Sequence, residues 1–243
     1  MEEPIALIFE DKQKLVKGFS EYFIKLINDK SGSFHVALSG GSTPKTWFEY
    51  LVSNHKDDIV WERVHFYWGD ERCVPPDDEQ SNYGMTKSYL LDHIVIPESN
   101  IHRIKGELYP EEAAEQYSKL LFDNFNDTGI PKFDLVILGL GEDGHTASIF
   151  PHQIDLWEVK KNCVVATHPT SGQHRVSITG QVINNARAVA FLVSGDSKKE
   201  RVKEIIKEES YAAYYPASLV NPVNGSLHWF LDASAATLIR DDQ

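Results

Sequence analysis

Residues 134–151 read DLVILGLGEDGHTASIFP. Within them an imidazole, His145, follows a carboxylate, Asp143, by two positions, and Gly139, Gly141 and Gly144 fall in the spacing G-x-G-x-x-G. The two features point to different chemistry. That glycine spacing is shared by loops that hold the pyrophosphate of a dinucleotide. An imidazole with an ordinary pKa of ~6.5, beside a carboxylate that can orient it, suits proton transfer near neutral pH instead. A dinucleotide loop is expected in the first strand–helix turn, with an acid ~20 residues further on. Here the loop lies past the middle of the chain, residues 163–165 hold no acid, and Asp143 would repel a pyrophosphate. The remaining choice is between a general base and a polar turn with an exposed histidine, and the loop alone leaves both open.

Other stretches carry groups that could meet that loop. In LSGGSTPK (38–45), Ser39, Gly40, Gly41, Ser42 and Thr43 stand where a strand gives way to a helix. Backbone N–H groups and the helix dipole at such a junction attract phosphate, although an ordinary capped turn has the same composition. The absence of G-x-x-x-x-G-K-[ST] excludes a nucleotide P-loop. WGDERCVP (68–75) offers Arg72, a permanently charged fork for a carbonyl or phosphate oxygen, within a cluster that could equally be solvated. Arg175 in HRVSIT and Lys198 in SGDSKK are either anion clamps or plain surface cations. There is no G-x-S-x-G nucleophile elbow. Without H-E-x-x-H or a Cys/His cluster, no catalytic metal is expected.

These loops need elements to hold them. Residues 5–9, 34–38, 64–68, 135–138, 164–167, 189–193 and 227–231 are apolar strand candidates. A helix opening at Asp11 carries Leu15, Phe19, Phe23, Leu26 and Ile27 as one apolar stripe. Further helices are expected over 44–53, with proline in the first turn, and near 82–92, 110–125 and 197–208. Alternating strands and helices predict a Rossmann-like α/β fold: a mostly parallel sheet with helices on both faces. No linker or repeat interrupts residues 1–243, so a single domain is expected. In such sheets ligands bind beyond the carboxyl ends of the strands. The polar loops after 34–38, 64–68, 135–138 and 189–193 should therefore share one cleft.

The whole chain narrows the partners. A formal net charge of −12 argues against nucleic acid, which favours a basic face. An anionic ligand would have to be held by a local cluster of cations against that field. No apolar run approaches the ~20 residues that span a bilayer. The start MEEPIALIFEDKQK is acidic where an export signal is basic. With Cys73 and Cys163 unmatched to any metal or redox spacing, a cytoplasmic protein with reduced thiols is expected. No obligate protein partner is evident.

Taken together, SGGSTPK (39–45), GDERCVP (69–75), SNYGM (81–85), GLGEDGHTASIFP (139–151) and GDSKK (195–199) resemble the 6-phosphogluconolactonase family, in the same order over nearly the whole chain. The resemblance implies hydrolysis of 6-phospho-D-glucono-1,5-lactone to 6-phospho-D-gluconate, in the oxidative branch of the pentose phosphate pathway, without a cofactor. It implies that His145 takes a proton from the attacking water, that Asp143 positions His145, and that Arg72 faces the lactone carbonyl. Ser39, Gly40, Gly41, Ser42 and Thr43, with Arg175 and Lys198, would bind the phosphate. The role of His152, His168 and His174 is left open. Glucosamine-6-phosphate deaminases share the fold, but their corresponding loop resembles DGHIAFNEP, whose glutamate is replaced here by Phe150. Their Asp-Glu pair is followed by tyrosine, where this chain has Arg72. A non-catalytic sugar-phosphate sensor is the alternative of another class; no appended interaction segment is visible.

Overall fold

A computed structural model describes residues 4–125 and 129–239. The first three residues of the acidic N-terminal stretch, and the ends of the expected 1–243 domain, lie outside the described residues. The strands are β1 (Ile5–Phe9), β2 (Phe34–Leu38), β3 (Val64–Trp68), β4 (Asp70–Arg72), β5 (Ile101–His102), β6 (Leu135–Leu138), β7 (Cys163–Thr167), β8 (His174–Ile178), β9 (Ala188–Val193) and β10 (Ser226–Asp232). The α-helices are α1 (Lys12–Asp29), α2 (Ser42–His55), α3 (Asn82–Tyr89), α4 (Pro110–Asn124), α5 (Gly180–Ile183) and α6 (Lys199–Ile206), with short 3₁₀ turns between elements.

Seven strands form one sheet in the order β1-β10-β9-β6-β2-β3-β5, and each adjacent pair is parallel. Side chains alternate across a strand, which assigns the covering helices. Phe34 meets Phe23 of α1 at a ring separation of 5.8 Å, whereas its neighbour His35 meets Phe125, just past α4, at 5.0 Å. Helices therefore cover both faces. Helix α1 starts where Asp11 accepts a hydrogen bond from the Lys14 N–H at 2.8 Å. Leu15, Phe19, Phe23 and Ile27 are fully buried along it, whereas Leu26 is half-buried at the edge of the stripe. Helix α4 has Pro110 in its first turn, followed by Glu111 and Glu112 at the positive end of the helix dipole.

The chain leaves β2 towards β3 on one side and β6 towards β9 on the other. The sheet thus reverses its winding between β2 and β6, the place where open α/β sheets leave a crevice at the strand ends. Because β9, β6, β2 and β3 are consecutive in the sheet, the loops following them stand side by side.

One part of the sequence-based expectation is corrected. Residues 164–167 do not join the parallel sheet; β7 belongs to a separate three-stranded antiparallel sheet, order β4-β8-β7. Residues 70–72, expected as loop, form its edge strand β4, and 174–178 form its centre. The apolar pattern is a poor guide here, since Asp70 and Glu71 are the buried positions of β4. The small sheet is joined to the large one through Gly69, which donates to the Leu38 carbonyl at 2.8 Å and accepts from the Ile178 N–H at 2.9 Å. β5, only two residues long, was also not expected.

Candidate active site

The four strand-end loops converge on one cleft of about 200 Å³, lined among others by Ser39, Gly40, Gly41, Arg72, His145, Arg175 and Lys198. A larger cavity of about 830 Å³ opens beside it and shares Gly41, Arg72 and Asn82. Its wall is rich in carboxylates, including Asp77, Asp78, Glu79 and Asp92, and it includes neither His145 nor Asp143. Size would select the larger cavity; the convergence of a base with three cations selects the smaller.

The base end is built within five residues. After β6 the chain turns back on itself: Gly144 N–H donates to the Gly141 carbonyl at 3.0 Å and Gly141 N–H to the His145 carbonyl at 2.9 Å. Inside this turn the Asp143 carboxylate accepts from the His145 backbone N–H at 3.1 Å and meets the His145 Nδ1 at 2.6 Å. A carboxylate only accepts, so Nδ1 carries the proton and Nε2 of a neutral ring keeps its lone pair. Burial would raise the Asp143 carboxyl, but the hydrogen bond and charge of His145 outweigh it and hold it at about 2. The pair is therefore set with the carboxylate ionised and the imidazole oriented.

The glycine pattern acquires a reason that has nothing to do with pyrophosphate. A Cβ on Gly141 would lie 2.1 Å from His145 Nδ1 and 2.5 Å from Asp143 Oδ1, so only glycine lets the pair close over the backbone. Gly144 has φ +87°, a left-handed conformation, and a Cβ there would lie 2.5 Å from the Tyr215 ring. No α-helix follows the loop directly; residues 146–149 form a short bridge and a 3₁₀ turn begins at Pro151. A helix N-terminus for a dinucleotide is thus missing from this position.

Three hydroxyls, those of Thr146 and Ser148 in the loop and Ser177 on β8, fasten it. Thr146 donates to the Gly139 carbonyl at 2.9 Å, Ser148 Oγ to the buried Asp70 carboxylate, and Ser177 Oγ accepts from the Ser148 N–H at 3.1 Å. Phe150, fully buried, forms a common floor: its ring lies 4.6 Å from that of His145 and 5.7 Å from the Arg175 guanidinium. Ala147, at φ +48°, also lines the cleft.

The cationic end is assembled across the chain. Arg72 on β4 and Arg175 on β8 are directly opposed in the antiparallel register, which brings their side chains onto one surface. Arg72 donates through an NH group to the Gln80 carbonyl, yet among the described residues the Nε of Arg72 and that of Arg175 are both buried without a hydrogen-bond partner. Burial lowers the pKa of Arg175 and Arg72 adds to this, with Asp70 opposing. Two guanidiniums with unspent donors are costly to bury unless an anion completes them. Lys198, from the turn before α6, reaches the same cleft and lies 3.9 Å from the exposed Glu142.

The 39–43 segment divides. Ser39, Gly40 and Gly41 line the cleft, whereas Ser42 and Thr43 do not. The Thr43 hydroxyl is instead shared with Ser194 at 2.9 Å, and Ser42 is exposed in the first turn of α2. Gly41 precedes that helix at φ +102° and no side chain caps it, which leaves backbone N–H groups at the positive end of the dipole.

Sequence reasoning missed Asp70 and Asn82, which also line the cleft. Asn82 Nδ2 donates to the Asp70 carbonyl at 2.9 Å and packs so tightly on Gly40 that a Cβ there would be 1.8 Å from its Oδ1. Glu71, in contrast, is structural: its carboxylate accepts from the backbone N–H groups of Arg72, Asn82 and Tyr83 at 2.9, 2.7 and 2.8 Å, closing the start of α3. A signal existed in SNYGM, where Ser81 caps the helix at the Gly84 N–H. Nothing in the sequence said what Asn82 would touch. Of the histidines left open, His152 and His168 pack around Phe150 at 5.9 and 5.3 Å, and His174 is an exposed strand residue near Thr167.

A family model described as glucosamine-6-phosphate isomerases/6-phosphogluconolactonase matches residues 10–229. The chain belongs to this family. It is 41% identical over 234 residues to a 6-phosphogluconolactonase of Haemophilus influenzae, covering 95% of this chain and 98% of that protein. A crystal structure of the devB protein superposes with a TM-score of 0.92 at 40% identity, covering 97% of this chain and 99% of the other. A monomeric glucosamine-6-phosphate deaminase gives a TM-score of 0.81 at 20% identity, over 96% and 99% of the two chains. At that identity the likeness concerns the fold alone, so the two activities of the family must be separated by side chains.

Proposed function

We propose that this chain hydrolyses 6-phospho-D-glucono-1,5-lactone to 6-phospho-D-gluconate, a step of the oxidative pentose phosphate pathway, as a cytoplasmic enzyme. The observation that carries the reading is the meeting, in one cleft, of a histidine oriented by Asp143 with two arginines whose buried Nε groups lack partners among the described residues. Two cysteines that are free thiols fit a reducing compartment, and among the described residues no helix is long and apolar enough to cross a membrane.

In the proposed mechanism the lactone lies with its phosphate towards Arg175, Lys198 and the N–H groups at Ser39, Gly40 and Gly41. Nε2 of His145 takes a proton from water as the water oxygen attacks C1. Asp143 stabilises the imidazolium that forms. Arg72 faces the carbonyl oxygen as it gains negative charge. The C1–ring oxygen bond then breaks, and the proton held by His145 passes to the leaving ring oxygen. A positioned base typically contributes ~10²–10⁴-fold and a donor to the oxyanion ~3 kcal/mol. Binding at the phosphate end would hold the reacting carbon against the base.

Phe150 favours lactone hydrolysis over deamination. The ring is wholly buried beneath His145 and Arg175 and offers no proton donor or acceptor where ring opening would need one. The test is a paired assay. Freshly prepared lactone, corrected for spontaneous hydrolysis, should be consumed rapidly by the protein, while glucosamine 6-phosphate should release no ammonia. Ammonia release without lactone hydrolysis would reverse the reading.

A further inference from the structure

Among the described residues, the loop that carries Asp143 and His145 is held from outside by a second group of side chains, none of which lines the cleft. Arg201, on α6, donates through Nε to the Glu142 carbonyl at 3.0 Å. Through an NH group it also donates to the Glu204 carboxylate and to the Tyr215 hydroxyl, and its guanidinium lies over the Tyr215 ring at 4.8 Å. That ring in turn packs against Gly144, where a Cβ would come within 2.5 Å, and the Ala217 N–H donates to the Gly144 carbonyl at 3.1 Å. Glu142 and Gly144 flank Asp143 and precede His145. The residues on both sides of the carboxylate are thus clamped by one cluster.

Arg201 stands one turn after Lys198, the cation that reaches the cleft. The segment holding them is itself anchored, since Gly195 N–H donates to both Asp232 carboxylate oxygens at 3.0 and 3.1 Å. Glu142 is the meeting point: its carbonyl is taken by Arg201, and its carboxylate lies 3.9 Å from Lys198.

We infer that Arg201 is a positioning residue, which ties the loop of the base to the same segment that presents Lys198 to the substrate's anionic end. It touches no reacting atom; it fixes where His145 stands relative to the phosphate clamp. The inference rests on the proposed role of His145 as the base. Its physical warrant is that a displacement of about 1 Å between base and substrate costs up to ~100-fold in rate without weakening ground-state binding.

The test measures kcat and KM on lactone for Arg201→Met, alone and combined with Asp143→Asn. Arg201→Met should lower kcat by roughly tenfold with KM changed less than about twofold, and Arg201→Lys, which keeps the charge but not the planar fork, should fall between. In the Asp143→Asn background the same change should cost less than about threefold, because the orientation it protects is already lost. Removing the guanidinium also leaves the buried Glu204 carboxylate unpaired. Arg201→Met with Glu204→Gln therefore gives the same reading in a chain without that burden. A raised KM with normal kcat, unchanged kinetics, or fully additive losses would each overturn the inference. An inactive wild type, or a fully active His145→Ala, would instead sink the reading of the base.

Discussion

Two groups of histidines in this molecule have opposite environments. His145 stands at a strand end with its Nδ1 2.6 Å from Asp143 and its other edge towards a cleft. His35, His65 and His102 instead form a ladder across β2, β3 and β5, with ring separations of 4.7 Å and 5.5 Å and interplanar angles of 18° and 8°. His65 Nδ1 and His102 Nε2 are 3.2 Å apart, which requires at least one of them to be unprotonated. Burial, reinforced by His65, pushes His35 down to about 4 despite the opposing charge of Asp134. Burial and the two neighbouring imidazoles likewise push His102 to about 4, and burial lowers His65. An imidazole becomes a candidate for proton transfer through a carboxylate on one nitrogen and open space at the other. Stacked against its own kind, it is a flat, neutral packing unit.

The comparison can be broken from either side. Short of removing the base itself, the largest expected effect is that of Gly141→Val, which drives a side chain into the space of both His145 and Asp143. Its kcat should fall by ~100-fold or more, with a native circular dichroism spectrum, because the loop lies beyond the sheet. Next, Arg175→Ala or Lys198→Ala should raise KM by about tenfold, the size of a charged hydrogen bond to a ground-state anion, with a smaller change in kcat. Arg72→Ala should do the reverse and act mainly on kcat. Because Arg72 and Arg175 are cross-strand neighbours, kinetics in which the two effects are exchanged would exchange their assigned ends of the substrate.

The smallest effect belongs to the ladder and concerns stability. A histidine whose folded pKa is lowered contributes stability that is present above its unfolded value of ~6.5 and is lost as pH falls towards the folded value. For His35 and His102 that window runs from ~6.5 down to about 4. Over the same range Asp143, held at about 2, stays ionised. Replacing His102 by Asn should flatten the decline of Tm between pH 6.5 and 4. After allowance for solvent reaching these half-buried rings, the change is on the order of 1 kcal/mol, ~2–4 °C in a chain of this size. Activity near neutral pH should be unchanged, and equal slopes would show that the ladder does not titrate in this window.

The legible parts of the sequence were those whose signal is local. The α1 stripe from Leu15 to Ile27 and the apolar strands of the large sheet follow from periodicity, because each buries a contiguous face. The clustering of four loops follows from the rule for strand ends. What stayed hidden was made by tertiary contact. β4 was unreadable because its Asp-Glu-Arg sequence is polar, its burial being satisfied by Ser148, Asn82 and the start of α3. The adjacency of Arg72 and Arg175 depends on that strand pairing with β8. The role of Gly141 was not legible: the spacing is one that phosphate loops share, a reading already set aside from the sequence, and only the fold shows that the missing Cβ makes room for an imidazole. Thr43 was equally hidden, since its hydroxyl, in the expected loop, is shared with Ser194.

The account depends on one imidazole that acts on a substrate held by other groups. The direct test is to measure kcat on fresh lactone and the Kd for 6-phosphogluconate on the same preparation of His145→Ala. The account predicts a kcat lower by ~10²–10⁴-fold with a Kd within about twofold of wild type, since the cationic end is left intact. A normal kcat, or a binding loss as large as the catalytic one, would contradict it.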